Sequence, residues 1–499
     1  MRSPSPVRCW LLLIWLCFVV RGSFYAAALP LWEGFDEYSH YARIELLATE
    51  GRDPPRTAAV PADVADSLSR VPAKNGGMTF DEFWTLPAQQ RQRPYPAASA
   101  TVYEAQQPPL FYWLAAAIYK LTPGISMASH VLVIRLFCLL SASLCIPFGY
   151  LIALRVLPTS NLALQATLLI AAMPVSTFTA THVANEGLAI ALGTIVVWAA
   201  LEGRSIALLF AFGAALLTKA YFLAFLAPLG SLLYLRARTA KALAGSLLLA
   251  GWWYWNTWRT TGSLTGNVIL VHPQLSEMLR TIFHFPVLSA AGFAWMTFLW
   301  TGNWSLLIIR GWMYKTVACC CLLSLAGVAM LIARRNPPIL LLSGFVFWFA
   351  AAIAYFAVGS LVASGYHGAF GWYACCVLAP IAILLFAGMH HLLPRAKSAA
   401  GPIFVLMFSA VELFATHIYM WPYYTGFIAH LPNGGMPAFR PASLDLAGLL
   451  LMFERLTLFK PDWVSPPALL AGWLSFLLAT VSLAAVSLYF AVSSPEQKS

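Results

Sequence analysis

Apolar runs recur along almost the whole chain, from Cys9–Leu31 to Ala468–Val492, and most basic residues stand at their ends. Each run is a candidate membrane-spanning helix, since about 20 apolar residues cross a bilayer. With 60% hydrophobic residues, 10% charged residues and nineteen Trp, the chain reads as a polytopic membrane protein and not as a soluble enzyme with an anchor. The net charge of +11 invites a nucleic-acid reading. Basic residues clustered at the ends of apolar segments instead follow the positive-inside pattern, so no nucleic-acid partner is expected. The nine cysteines (Cys9, Cys17, Cys138, Cys145, Cys319, Cys320, Cys321, Cys375 and Cys376) all lie in apolar runs. Neither a disulfide framework nor a zinc spacing follows from them.

The basic clusters set a parity. Arg2 and Arg8 hold the amino terminus inside, and Arg21 either snorkels outward or faces the protein interior. The opening run is too long for a cleaved signal peptide. Residues 32–130 form a first external loop, closed by QQPPLFYWLAAAIYK, Gln106 to Lys120, which is short for a span and is read as an interfacial or re-entrant helix. Spans then follow at Val131–Leu154, Leu162–Phe178, Leu188–Leu201, Ser205–Thr218, Tyr221–Leu235 and Leu243–Trp258. An aromatic segment, His272 to Tyr314, is assigned to surface helices or a partial span. Val317–Ile332, Ile339–Val358, Ala374–Leu393, Ile403–Trp421 and Ala468–Val492 complete the set, with residues 422–467 as the last external loop. Cytoplasmic ends fall at Arg236 to Lys241, Arg334–Arg335, Arg395 to Lys397 and Lys498. The expected fold is all-α and polytopic: one transmembrane domain over residues 1–499, about twelve spans (range 11–13), both termini cytoplasmic. No internal repeat stands out.

Acidic residues are distributed quite differently. Between Trp32 and Pro108 there are eleven Asp and Glu against seven Lys and Arg, although the chain as a whole is basic. This loop opens with WEGFDEYSHYARIELLATEGRDPP. If the stretch after Phe35 is helical, Asp36, His40 and Arg43 share one face. Tyr41, Ile44 and Ala48 then line another, as in a helix lying on lipid. A carboxylate beside an imidazole and a guanidinium suits proton transfer next to a bound anion; the plainer alternative is a solvated loop at a helix end. Arg135, Lys219 and Arg259 are placed by the parity on the same side as Asp36, Glu37 and Glu186. Lys219, in LLTKAYF, either meets an anionic group at the membrane boundary or snorkels.

The ordered series FDEYSHYARI, QPPLFYW, VIRLFCLLSA, VANEGLA, LLTKAYF and GWWYWN resembles the integral-membrane GT-C glycosyltransferases. The branch it is similar to comprises the protein O-mannosyltransferases and aminoarabinose transferases, which use polyprenyl-phosphate sugars. The likeness covers roughly Phe35 to Arg259, with WYACCVLAP, Trp372 to Pro380, a fainter echo. It implies a GT-C-like fold and roles by position. Asp36 would be the catalytic base and Glu37 its acidic neighbour. Lys219 and Arg135 would hold the donor phosphate; the reading of the residues themselves adds Arg259 and His40 to that set. Asn185 and Glu186 would supply the second-loop acid, where the family often has Asn-Asp. One departure is Gln106–Gln107 before the Pro-Pro pair, where relatives often carry a basic or His residue.

The expected reaction is inverting transfer of a sugar from a polyprenyl-phosphate donor to a hydroxyl of a protein, lipid or glycan. It is expected at the outer face of a bacterial inner membrane. Sugar nucleotides are disfavoured because no Gly-rich nucleotide site appears. No cofactor is required; Asp36, Glu37 and Glu186 leave room for a divalent metal, but a monophosphate leaving group beside three cations does not call for one. Two rival classes remain at this level: a transporter or lipid-handling protein whose charges line a substrate path, and a non-catalytic protein that kept the fold.

Overall fold

The computed structural model describes residues 6–72, 78–91, 100–232, 237–266, 275–393, 396–431 and 435–493. The cytoplasmic markers Arg2, Arg236, Arg395 and Lys498 lie outside them. Among the described residues every regular element is helical, and one isolated bridge joins Ala59 to Thr101.

Helix α1 (Pro6–Ala28) leads into the first loop with its short helices α2 (Glu37–Glu50), α3 (Ala62–Arg70), α4 (Phe80–Thr85) and α5 (Leu110–Leu121). Next come α6 (Met127–Ser143), α7 (Cys145–Val156), α8 (Ser160–Ala172), α9 (Pro174–Thr179), α10 (Glu186–Glu202), α11 (Ser205–Leu216), α12 (Leu226–Ser231) and α13 (Ala237–Thr261). The second half carries α14 (Leu275–His284), α15 (Val287–Leu299), α16 (Gly311–Ala333), α17 (Pro337–Ser364) and α18 (Leu378–Leu392). It ends with α19 (Ala400–Phe414), α20 (Trp421–Tyr424), α21 (Leu446–Leu456) and α22 (Pro466–Val492). Several starts follow from local chemistry. Asn336 accepts the Ile339 N–H at 3.2 Å and Ser465 the Ala468 N–H at 3.4 Å, each with Pro in the first turn, where no N–H is missed.

By length and composition seven helices are long and apolar enough to cross a membrane, or eight if α14 and α15, bent by 82°, count as one span. The bend falls at Phe285–Pro286, where Pro ends one helix and opens the next. Several segments expected as spans are shorter: α8 and α11 have 13 and 12 residues, and Ala220–Ser231 is broken into a 3₁₀ turn and α12. Leu248, Leu288, Leu322, Phe347 and Leu478 stand outward and exposed, as on a lipid-facing surface. All nine cysteines are free.

The two alternatives for Arg21 resolve to the interior. Its guanidinium reaches Glu412 of α19 at 2.5 Å and the Ala171 carbonyl at the end of α8 at 2.5 Å. One turn on, Tyr25 and Thr416 share a 2.7 Å hydrogen bond, where α19 continues as a π-helical stretch over Ala415–Met420.

Helix α2 is not the lipid-lying helix expected. Tyr41, Ile44 and Ala48 are buried against Phe111 of α5 and Val131 of α6, so this face is protein core. Helix α5, read as interfacial, packs on α2 and α6. The loop is drawn together by a clip in which Val60 N–H bonds the Ala100 carbonyl at 3.2 Å and Val102 N–H the Ala58 carbonyl at 3.0 Å. That clip delivers Tyr103 and Glu104 to the start of α2.

Candidate active site

The entry to α2 is pinned before the chemistry begins. Glu33 is buried, and its carboxylate accepts from the Ser305 N–H (3.2 Å), the Ser305 hydroxyl (2.9 Å) and the Tyr424 hydroxyl (3.0 Å). Its carbonyl accepts the Trp304 N–H at 3.1 Å. Burial pushes the Glu33 carboxyl up to about 7. Gly34 must lack a side chain, since a Cβ there would come within 2.7 Å of the His182 ring. Phe35 stacks on Trp372 at 3.9 Å between centroids and meets Trp304 edge-on.

Asp36 follows with φ 57° and ψ 14°, a left-handed conformation that Asp tolerates better than most residues. It stands at the N-cap of α2, and its carbonyl accepts the His40 N–H at 3.0 Å. The half-buried side chain accepts the Tyr103 hydroxyl on Oδ1 at 2.7 Å, and among the described residues Oδ2 has no hydrogen bond. Burial raises its carboxyl above the usual range, opposed by the Tyr103 hydroxyl and then by Lys219, while the Glu186 charge adds to it.

Glu37, the adjacent acid, has a different fate. Arg135 of α6 grips it at 2.7 Å from both Nε and Nη2, and the Val183 N–H adds a bond of 2.9 Å. The remaining Arg135 N–H groups go to the carbonyls of Ala26 (3.0 Å), Leu29 (2.8 Å) and Pro30 (2.9 Å). All five donors are used. Burial alone would raise the Glu37 carboxyl, but the guanidinium outweighs it and holds the group below its ordinary range. This is a correction to the sequence reading: Arg135 has no N–H for a phosphate, and Glu37 is its framework partner.

His40 is also reassigned. It is buried, its Nδ1 shares a 2.7 Å bond with the Tyr112 hydroxyl, and burial lowers it to about 3, so it is neutral. A neutral imidazole offers no charge to a phosphate. Arg43, on the same face, lies over the Tyr112 ring at 3.8 Å and binds Asp53 and the carbonyls of Glu104 (3.0 Å) and Gln107 (2.9 Å). It ties the loop together. Arg259 is exposed on the last turn of α13, and no bond joins it to these groups among the described residues.

Lys219 and Glu186 do come together. Lys219 is 2% exposed and donates to Glu186 Oε1 and to the Tyr221 hydroxyl at 3.3 Å, with the rings of Tyr221 and Tyr373 against its ammonium. Among the described residues two of its three N–H groups are used. Asn185 stands at the N-cap position of α10 without a capping bond and donates from Nδ2 to the Thr218 carbonyl at 3.1 Å, fixing the turn that presents Lys219. Helix α10 can approach this corner because Gly193 abuts the Cys376 carbonyl, which a Cβ would meet at 2.1 Å.

Sequence reading missed Glu104. It is 6% exposed, 4.0 Å from His40 Nε2, and in electrostatic reach of Asp36, Lys219 and Glu186. A signal was present, since Glu104 is the sole acid between Glu82 and Glu186. Tyr103, Tyr221 and Tyr373 were missed too; nothing in their spacing marks them. Four buried oxygens, Glu104 Oε2, Gln106 Oε1, Asn185 Oδ1 and Glu186 Oε2, have no hydrogen-bond partner among the described residues. Buried polar atoms in that condition are uncommon and mark a place where a polar ligand or water bonds. Among the described residues no group of three or more His, Cys, Asp or Glu is arranged to hold a metal ion.

No family model matches the chain, and no curated protein matches it. Among solved structures, it is similar to the crystal structure of ArnT from Cupriavidus metallidurans bound to undecaprenyl phosphate: 14% identity, TM-score 0.46, 99% of this chain and 79% of that one. The apo crystal structure of the same protein gives 14% identity and a TM-score of 0.47 over 98% and 79%.

Proposed function

We propose that this protein is a membrane glycosyltransferase that moves a sugar from a polyprenyl-phosphate donor to an acceptor hydroxyl, with inversion. The site faces the outer side of a bacterial inner membrane. The observation that carries the reading is Asp36: a half-buried carboxylate with one oxygen oriented by Tyr103 and the other unbonded among the described residues, in the field of a buried lysine with one N–H unused among them. A base and a cation in electrostatic reach of each other suit a reaction that releases a proton from one partner and negative charge on the other.

In the proposed step the donor phosphate sits against Lys219. The acceptor O–H gives its proton to Asp36 as its oxygen attacks the anomeric carbon from the face opposite the phosphate. The bond from that carbon to the phosphate oxygen breaks with its electron pair, and the polyprenyl phosphate leaves as a dianion stabilised by Lys219. Glu186 keeps Lys219 protonated and aimed. Tyr221 and Tyr373 wall the ammonium, where a low local dielectric strengthens its pull on the phosphate. The motif series that resembles polyprenyl-phosphate-sugar transferases favours the lipid-linked donor.

The test is turnover by the purified protein in detergent, with a panel of radiolabelled polyprenyl-phosphate sugars and membrane extract as acceptor. Label should pass to acceptor, with stoichiometric polyprenyl phosphate released. Label bound or moved across vesicles without cleavage of the sugar–phosphate bond would favour the transporter reading instead.

A further inference from the structure

In electrostatic reach of the lysine proposed to hold the donor phosphate is a buried acid that the transfer step does not use, Glu104, and its role rests on that donor. The backbone of Glu104 is held on three sides: its N–H bonds Ser39 Oγ at 3.1 Å, and its carbonyl accepts Arg43 Nη1 at 3.0 Å and the Gln107 N–H at 3.0 Å. Its carboxyl therefore has a fixed origin. His40 Nε2 lies 4.0 Å from it, the Gln107 side chain bonds it, and Asp36, Glu186, Lys219, Tyr103, Tyr112 and Tyr221 are in electrostatic reach. The nearby guanidinium of Arg43 is spent on Asp53 and on backbone carbonyls, so it does not neutralise this acid. Lys219 is already engaged by Glu186. Glu104 Oε2 is buried with no partner among the described residues.

A buried carboxylate without a cation of its own is costly, and the group relieves that cost by keeping its proton. A neutral carboxyl then has an O–H that needs an acceptor, and a phosphate oxygen lodged beside Lys219 is one. We propose that Glu104 is a donor-binding residue that gives its O–H to an oxygen of the donor phosphate, and that loss of this proton drives the phosphate out. Ionised, it would add a third carboxylate to Asp36 and Glu186 around a single lysine, and repel the anion it had held.

Burial chiefly, and then the charge of Asp36, holds the Glu104 carboxyl up to about 8. The protonated, binding-competent form therefore prevails at neutral pH and is lost as pH rises through that value. His40, lowered to about 3 by burial, stays neutral throughout and contributes no titration of its own.

The probe is radiolabelled undecaprenyl phosphate, bound to the full-length protein in detergent from pH 7 to 9.5. The parent Kd should rise above pH 8 toward a limit of about tenfold per pH unit, the slope of one linked proton. Glu104→Gln carries a neutral donor at every pH, so its Kd should be flat over that range and within about threefold of the parent at pH 7. Glu104→Ala should be flat as well, but about three- to tenfold weaker at pH 7, the loss of one hydrogen bond. Either variant suffices if the other does not fold. Lys219→Ala should bind weakly yet keep the parent's slope. A parent Kd unchanged above pH 8, or the same slope in both Glu104 variants, overturns the proposal while leaving the donor reading intact. If the parent binds no undecaprenyl phosphate at any pH, the donor reading itself fails and takes the proposal with it.

Discussion

Two glutamate–cation pairs lie near the start of α2, and they are finished to different degrees. At the Arg135–Glu37 corner every guanidinium N–H has an acceptor, and the acceptors include three carbonyls at the end of α1. At the Lys219–Glu186 corner one ammonium N–H and one carboxylate oxygen have no partner among the described residues, nor does the side-chain oxygen of Asn185. Glu37, Arg135 and Lys219 are buried and Glu186 is half-buried, and each pair joins separate segments of the chain. A closed pair fixes helices; an open one has capacity left for a ligand. Counting donors against acceptors separates the two roles where residue type alone does not.

The two adjacent acids put this contrast at greatest risk. Asp36→Asn keeps shape, and Asn also accepts the left-handed backbone, so transfer should fall by about 10²–10⁴-fold. Donor binding should survive, as equilibrium binding of labelled donor would check. Glu37→Gln should instead act on the fold: breaking a buried pair costs about 3–5 kcal/mol, read as a lower melting temperature and loss of monodisperse protein. If Asp36→Asn turns over like the parent, or Glu37→Gln keeps its melting temperature and loses only rate, the two corners have been assigned the wrong way round.

Smaller effects are expected at the cations and in the pH response. Lys219→Ala should weaken donor binding by about tenfold to a hundredfold, one charge-assisted hydrogen bond of roughly 1.5–3 kcal/mol. Lys219→Arg should recover only part, because a planar fork does not replace a point charge. Activity should also fall on the acid side at a pH above the usual aspartate range near 4, since Asp36 is raised by burial and must be ionised to act as base. A pH–rate profile of kcat reads this directly. Arg259→Ala should change neither binding nor rate by more than about twofold, as for an exposed surface change.

The helical class, the membrane character and the Asp36–Glu186–Lys219 constellation were legible in the sequence, because hydropathy and ordered local motifs record them. The partners of Arg135 were not. Whether an arginine near a helix end meets a ligand or three carbonyls from residues 26–30 depends on packing between α1 and α6, which no local pattern encodes. His40 failed for a similar reason: helical spacing put it on the expected face, but its charge was settled by burial against Tyr112. Glu104 and Tyr373 reach the site through the clip at Ala59–Thr101 and through the segment at residues 371–377, both long-range. The face of α2 assigned to lipid was taken up by α5, a helix whose docking the pattern left open.

The Arg21–Glu412 bond has a consequence for how the chain is made. Its halves are 391 residues apart, so at about 5–20 residues per second α1 waits roughly 20–80 s for its partner to be synthesised. Through that interval an arginine in the first helix has no carboxylate, and holding it in hydrocarbon costs a few kcal/mol. The opening helix must therefore linger beside the insertion machinery or at the water boundary until α19 arrives. The buried setting of Arg21 in α1 is complete only when α19 packs against it.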